Sequence, residues 1–173
     1  MQKVCIASVA TQTSKDFEHL LIKEDQGEKG YGIVKANAAL AHVWPIHAEY
    51  VMVLDDDNML VDMDFVRVFR DMVKREGRPE IVFFRGYIKS LGFFPPENAW
   101  GKAPGLGYID YFCFALRWDF WEKHIRLIPD EVNHDFMLID ECYRDARHVY
   151  WLDRFVARSQ DLPAKTRPTE DIP

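Results

Sequence analysis

Cysteines are few in this sequence, and long hydrophobic runs are absent. The three cysteines, Cys5, Cys113 and Cys142, form no CxxC pattern, which argues against a disulfide framework or a zinc motif and favours a reducing compartment. No apolar stretch approaches the roughly 20 residues that a membrane-spanning helix requires. The first residues turn polar too soon for a signal peptide. We therefore expect no membrane span and a cytoplasmic location.

Positive charge is also scarce. The 173 residues include 22 Lys and Arg against 28 Asp and Glu, a formal net charge of −6. Nucleic acid is not expected as a partner, because binding its phosphates requires a basic surface. Apolar residues make up 48% and aromatic residues 14% of the chain, which is typical of a globular protein. A net-acidic domain can still bind a nucleotide if a metal ion supplies the local positive charge.

Helical and strand-like patterns alternate along the chain. The clearest helix is predicted over residues 62–75, where Phe65, Phe69 and Met72 share one face. Residues 50–54 are a short apolar run without alternation, typical of an interior strand covered on both faces. The alternation predicts an α/β domain with a mostly parallel central sheet flanked by helices.

The chain is expected to form one domain with a short tail. Residues 1–161 show no internal repeat and no linker, so we assign them to a single domain. Residues 162–173 contain three prolines and many charges, which predicts an extended end. Residues 92–107 are rich in glycine and proline and predict a long irregular loop, a kind of segment that is often functional.

Three consecutive carboxylates follow the apolar run. Asp55, Asp56 and Asp57 would repel one another at a strand end unless a cation or hydrogen bonds compensate them. Alternate residues of an extended chain face the same way, so Asp55 and Asp57 can face one site. Carboxylate oxygens suit Mg²⁺ or Mn²⁺, which would in turn hold a diphosphate. The alternative is a solvated turn that caps the following helix.

The order of several short motifs resembles the family 2 glycosyltransferases, which have the GT-A fold. The triplet Asp55-Asp56-Asp57 resembles the family's DxD motif, and His134-Asp135 resembles its later acidic motif. Further segments that resemble the family in the same order are 8–13, 16–18, 24–25, 30–32, 36–40, 107–110 and Arg117. Together they run from about Cys5 to Ala157.

The resemblance implies a binding site for a nucleoside-diphosphate sugar, with UDP- or GDP-sugars as donors. Asp57 would bind Mn²⁺ or Mg²⁺ beneath the diphosphate, Asp55 would contact the ribose or sugar and share the metal, and Asp56 lies between them. The remaining residues assigned to the donor are Glu24 and Asp25 at the base, the phosphate candidate Lys35, and Asn37 in the helix before the DxD motif.

On the acceptor side, the resemblance implies that Asp110 and Arg117 line the site and that Asp135 is the catalytic base. Asp135 also stands at the start of a predicted helix, where an aspartate is a common cap. His134 is a candidate third metal ligand, and Trp100 in the long loop is a candidate for stacking on a sugar. The acceptor would be a saccharide or another hydroxyl compound.

The predicted function is therefore metal-dependent transfer of a sugar to a hydroxyl, with inversion implied by the resemblance. Two departures matter: Met1 falls inside the segment that resembles the family's first helix, so the opening strand has no counterpart, and His134 stands where the family's acidic motif often has a glutamate. The QxxRW motif of processive members is missing too, which argues against polysaccharide synthesis. Two alternatives stay open: a non-catalytic nucleotide- or sugar-binding module, and a metal-dependent phosphohydrolase. Self-association into a homo-oligomer is considered as well.

Overall fold

The structure, a computed structural model, describes residues 1–21, 48–125 and 133–160. The predicted tail at 162–173 lies outside these ranges, so the assignment of one domain with an extended tail stays a prediction. None of the helices in the described ranges is long and apolar enough to cross a membrane. The cytoplasmic location and the homo-oligomer also stay predictions.

Four α-helices and six β-strands are present in the described part of the chain. In chain order they are α1 (Gln2–Ala10), β1 (Tyr50–Val51), β2 (Asn58–Leu60), α2 (Phe65–Arg75), β3 (Ile81–Ile88), β4 (Gly92–Phe94), β5 (Phe114–Arg117), α3 (Trp118–His124), α4 (His134–Asp145) and β6 (Val149–Ser159). Two single turns of 3₁₀-helix cover Glu97–Ala99 and Tyr111–Cys113. The predicted α/β class is therefore confirmed, and the predicted long loop contains the strand β4.

The sheet is mixed rather than mostly parallel, which corrects the prediction. Its strand order is β1-β5-β3-β6-β2, and β4 pairs with β3 beyond the end of β5. Only β3 and β6 are parallel, whereas the other four pairings are antiparallel. The reason lies in the connections. The chain between β3 and β6 includes two α-helices, which allow a parallel return, but β3 and β5 are joined without an α-helix and run antiparallel.

The strand β3 is the centre of the core, and both of its faces are covered. Phe83 and Phe84 are fully buried. Phe83 stacks on Trp151 with ring centroids 4.2 Å apart and lies near Tyr143 of α4. Phe84 meets Phe65 of α2 edge-on at 5.0 Å. Because helices contact opposite faces of the sheet through these two residues, the strand has no polar face.

The helix α2 buries the face that the sequence predicts. Phe65 and Met72 are buried, and Phe69 is half-buried against the core. Phe69 meets Tyr50 of β1 edge-on, with ring centroids 5.1 Å apart. The apolar run at 50–54 therefore contacts α2. Only Tyr50 and Val51 of this run form a strand. Among the described residues this strand lies at the edge of the sheet, not in its interior as predicted.

Candidate functional site

The acidic residues Asp55, Asp56 and Asp57 form a tight turn between β1 and β2. The backbone N–H of Asn58 donates to the carbonyl of Asp55 at 3.0 Å. The side-chain amide nitrogen of Gln160 lies 3.2 Å from the carbonyl oxygen of Asn58, and the Gln160 backbone N–H donates to the Asp57 carbonyl at 2.6 Å. The main chain of the turn is thus fixed by hydrogen bonds in which the three carboxylates take no part.

The helix α1 supports this turn from the other side. The hydroxyl of Ser8 donates to the carbonyl of Cys5 at 2.7 Å and accepts from the backbone N–H of Leu60 at 3.0 Å. Burial raises the pKa of the Cys5 thiol, and the carboxylates of Asp56, Asp55 and Asp57 add to that rise. The start of the chain therefore lies within electrostatic range of the acidic turn.

Antiparallel pairing of β1 and β5 brings Asp110 to the same end of the sheet. In the observed register Tyr50 lies opposite Arg117 and Val51 opposite Leu116. The residues that follow β1 lead to Asp55, and the residues that precede the antiparallel strand β5 include Asp110. Two acids that are far apart in sequence therefore meet because the two chain segments run in opposite directions.

Asp135 comes from a third segment, the first turn of α4. Asn133 precedes this helix in a left-handed conformation with φ 69°, which an asparagine tolerates better than most residues. Burial raises the pKa of Asp135, whereas the backbone N–H of Phe136, a positive charge on the neighbouring His134 and the backbone N–H of Asp135 itself lower it in part. Asp135 is therefore held within the first turn of the helix, but the capping position that the sequence suggested for it belongs to Asn133.

The carboxylates of Asp55, Asp110 and Asp135 disturb one another's ionisation. Burial raises the pKa of Asp110 to about 7, and the charges of Asp55 and Asp135 add to the rise. Burial likewise raises the pKa of Asp55 to about 6, with Asp57, Asp135 and Asp56 contributing. Solvent reaches the Asp55 side chain and screens its interactions, so the half-buried Asp110 shows the effect more fully. We call these three residues the acidic cluster.

No arginine or lysine in the described ranges forms an ion pair with the acidic cluster. Concentrated negative charge without a counterion is unfavourable in a partly buried site, and it attracts a cation. No three His, Cys, Asp or Glu residues of the described segments are grouped so that they could hold a metal ion by themselves. Asp55 and Asp57 offer oxygen donors of the kind that Mg²⁺ and Mn²⁺ prefer, and such ions usually keep waters and substrate phosphates as further ligands. The residues therefore fit a divalent ion chemically, and the metal stays a proposal.

His134 and Trp100 both contact other side chains. The ring of His134 lies edge-on to Tyr111, with centroids 5.3 Å apart. The guanidinium of Arg85 lies 4.1 Å from the centre of the Trp100 ring, and Trp151 meets that ring edge-on at 5.0 Å. The roles of His134 as a metal ligand and of Trp100 as a sugar-stacking residue stay predictions.

Arg117 lies at the opposite end of β5 from the acidic cluster. It forms ion pairs with Asp119 at 2.6 Å and with Glu80 at 3.6 Å, and it donates to the carbonyl of Arg78 at 3.1 Å. The structure thus does not bring Arg117 together with Asp110, and its predicted contact with the acceptor gains no support from its position. The donor-site candidates Glu24, Asp25, Lys35 and Asn37 lie outside the described residues.

Sequence reasoning missed two residues at this site. Gln160 closes the acidic turn from a position more than 100 residues away, and no spacing or motif distinguishes it. Tyr111 is buried beside His134. Its position directly after Asp110 was the available signal, but the aromatic run that follows Asp110 reads equally well as ordinary core.

Comparisons with known proteins agree with this architecture. No family model matches the sequence, and no curated protein sequence matches it significantly. Among solved structures, TarS 1–349 from S. aureus has a TM-score of 0.68 at 13% identity and aligns with 92% of this chain. The same protein in complex with UDP-GlcNAc also has a TM-score of 0.68, over 95% of this chain. A197 from STIV has a TM-score of 0.57 at 17% identity over 87% of this chain and 76% of its own.

These likenesses show a shared fold. The chain spans 56% of the length of TarS 1–349, so it corresponds to part of that structure. The glycosyltransferase-like fold that the motif order implies is therefore supported by structure, with a mixed sheet in place of a mostly parallel one.

Proposed function

We propose that this domain transfers a sugar from a nucleoside-diphosphate sugar to an acceptor hydroxyl, with a divalent cation held by Asp55 and Asp57. One observation carries the proposal. Three carboxylates from three separate chain segments, Asp55, Asp110 and Asp135, are brought to one end of the sheet with raised pKa values. A structure that shares this fold contains UDP-GlcNAc, a nucleoside-diphosphate sugar.

The donor half of the site consists of the acidic turn. Asp55 and Asp57 would hold Mn²⁺ or Mg²⁺ through their carboxylate oxygens. The bound ion supplies Lewis-acid stabilisation of the negative charge on the diphosphate leaving group. Gln160 fixes the backbone of the turn, so the two carboxylates can keep one arrangement while the donor binds and leaves.

The acceptor half consists of Asp110 and Asp135. Asp135 accepts the proton of the acceptor hydroxyl while the hydroxyl oxygen attacks the anomeric carbon. Direct attack from the face opposite the leaving group inverts the configuration at that carbon. Asp110 is half-buried beside the charges of Asp55 and Asp135, and its carboxyl group can form a hydrogen bond with a sugar hydroxyl of the acceptor.

The test is a calorimetric titration with UDP, GDP and UDP-GlcNAc, with and without Mn²⁺, combined with an assay of nucleoside diphosphate release in the presence of candidate acceptors. We expect binding that depends on Mn²⁺. Asp57→Asn should lose at least tenfold in Mn²⁺-dependent affinity, because it removes one charged ligand while conserving the shape of the side chain. Asp71→Asn is the matched control, since Asp71 is exposed on α2, and it should bind like the wild type.

Each other outcome identifies a different function. Nucleotide binding without transfer to any acceptor would favour the non-catalytic binding module. Release of inorganic phosphate from phosphate esters would favour the phosphohydrolase. If the nucleotide affinity is unchanged by Mn²⁺ or by Asp57→Asn, the three consecutive aspartates 55–57 are a solvated turn and not a metal site.

A further inference from the structure

The hydroxyl of Tyr111 is buried, and the described part of the chain offers it no hydrogen-bond partner. The residue is 4% exposed, its hydroxyl oxygen is closed to solvent, and no described residue shares a hydrogen bond with it. Tyr50 is a useful contrast, because its hydroxyl donates to the carbonyl of Pro79 at 2.7 Å. A buried hydroxyl that stays unpaired costs folding free energy, so its retention at Tyr111 calls for a reason other than stability.

Packing fixes the Tyr111 ring beside the first turn of α4. The ring lies edge-on to His134, with centroids 5.3 Å apart, and tilted against Phe114 at 5.8 Å. His134 directly precedes Asp135 in this turn. The Tyr111 ring is therefore held by contacts on two sides. The side chain of Asp135 is half-buried.

The hydroxyl also lies in the field of the acidic cluster. Burial raises the pKa of the Tyr111 phenol, and the charges of Asp135, Asp55 and Asp110 add to the rise in that order. Asp110 already accepts hydrogen bonds from the backbone N–H groups of Phe112 and Tyr111. Asp135 is thus the acid that acts most strongly on the Tyr111 hydroxyl. It also directly follows His134, whose ring contacts the ring of Tyr111.

We infer that Tyr111 is a positioning residue for Asp135, whose carboxylate accepts a hydrogen bond from the Tyr111 hydroxyl once the Asp135 side chain turns towards the acceptor. The inference rests on the proposed function. A carboxylate has about four acceptor sites, so Asp135 can take this bond, keep those from the helix N-terminus, and still accept the proton of the substrate. The bond would restrict the rotation of a side chain that must face one direction during the reaction.

The first test replaces one oxygen atom. Tyr111→Phe conserves the packing on His134 and Phe114 and removes only the hydroxyl. We expect kcat to fall by about 10- to 100-fold, the scale of a hydrogen bond to a charged group, with KM for donor and acceptor unchanged. The melting temperature should stay the same or rise, because no structural bond is lost.

Tyr50→Phe is the matched control, since it removes a hydroxyl that has a partner. It should lower the melting temperature by about 2–4 °C and leave kcat unchanged, because Tyr50 lies at the other end of β1 from the acidic cluster. If Tyr111→Phe lowers the melting temperature as much as Tyr50→Phe does, or transfers sugar at the wild-type rate, the inference is wrong.

A double-mutant cycle tests whether Tyr111 acts through Asp135. In an Asp135→Asn background, Tyr111→Phe should have no further effect on kcat, because the group that it orients is already gone. Additive losses would show that Tyr111 acts independently and would overturn the inference. If Asp135→Asn alone leaves transfer intact, the proposed base is wrong instead.

The contact can also be tested without activity. With tyrosine labelled with ¹³C at the ring carbon that bears the hydroxyl, and with UDP and Mn²⁺ present, adding a saccharide acceptor should shift the Tyr111 resonance in the wild type but not in Asp135→Asn, while the Tyr50 resonance stays in place in both. This measurement decides the inference even if the wild-type protein transfers no sugar, which would disprove the proposed function separately. An unchanged Tyr111 resonance would overturn the inference.

Discussion

The carboxylates at the two ends of the strand pair β1–β5 have pKa values shifted in opposite directions. At one end, Glu80 pairs with Arg117, and Asp119 pairs with the same arginine, which lowers the pKa of Asp119. At the other end, Asp55 and Asp110 face each other's charge and have raised pKa values. Among the described residues, the same strands thus have one compensated end, where an arginine pairs with the carboxylates, and one end where no arginine or lysine does so, and the proposed cation and substrate site lies at the second end.

The largest effect is expected from replacing the proposed base, Asp135, in the acidic cluster. Asp135→Asn keeps the shape of the side chain, and its amide oxygen can still accept the hydrogen bond from the backbone N–H of Phe136. It should lower transfer by about 10²–10⁴-fold, the usual contribution of general-base catalysis, with little change in stability or nucleotide affinity. Steady-state kinetics and thermal unfolding check both parts. Transfer near the normal rate would reduce Asp135 to a helix cap.

The next effect concerns pH and Asp110. The folded protein keeps the Asp110 proton up to about pH 7, whereas the ordinary value for an aspartate is 3.8. Between these values the folded state binds more protons than the unfolded chain, so the free energy of unfolding falls as pH rises. Asp110→Asn removes this dependence and should be about 2–4 kcal/mol more stable than the wild type at pH 8, with little difference at pH 4.

Urea unfolding at both pH values in the presence of EDTA measures that difference. Adding Mn²⁺ should then recover part of the wild-type stability at pH 8, because the ion compensates the charge of the acidic cluster. Equal pH dependence in the two proteins would mean that Asp110 ionises normally and that the two ends of the strand pair do not differ as proposed.

The smallest effect is expected at the compensated end. Glu80 accepts hydrogen bonds from the backbone N–H groups of Arg147 at 3.0 Å and His148 at 2.6 Å, besides its ion pair with Arg117. Glu80→Gln should lower the free energy of unfolding by about 1–2 kcal/mol and leave transfer unchanged. The control is Glu49→Gln, which removes an exposed ion pair with Arg78 and should cost less than about 0.5 kcal/mol.

Local patterns predicted part of this fold well. The buried face of α2 follows from the spacing of Phe65 and Met72. Strand direction could not be predicted in the same way, because it depends on which strands become neighbours. The parallel sheet was therefore wrong although the α/β class was right.

The sequence singled out the three aspartates of the acidic cluster as site candidates, but it did not predict which other residues lie near them. In the sequence, Asp55 follows an apolar run, Asp110 precedes an aromatic run and Asp135 lies at the start of a helical pattern, and such boundaries can be recognised. Arg117 was grouped with Asp110 because both belong to a segment that resembles the family's acceptor side. The strand β5 separates them, since each strand residue advances the chain by about 3.3 Å. Gln160 contacts the turn only through long-range pairing of β2 with β6, which no local pattern encodes.

The closure of the acidic turn by Gln160 also bears on when the site can assemble. The bonds from the Gln160 side chain to the turn join residues 102 and 104 positions apart, so they cannot form until β6 has found its place beside β2. The turn that carries the three consecutive aspartates is therefore not a local structure, because the Gln160 bonds that hold its backbone exist only where β2 and β6 have paired.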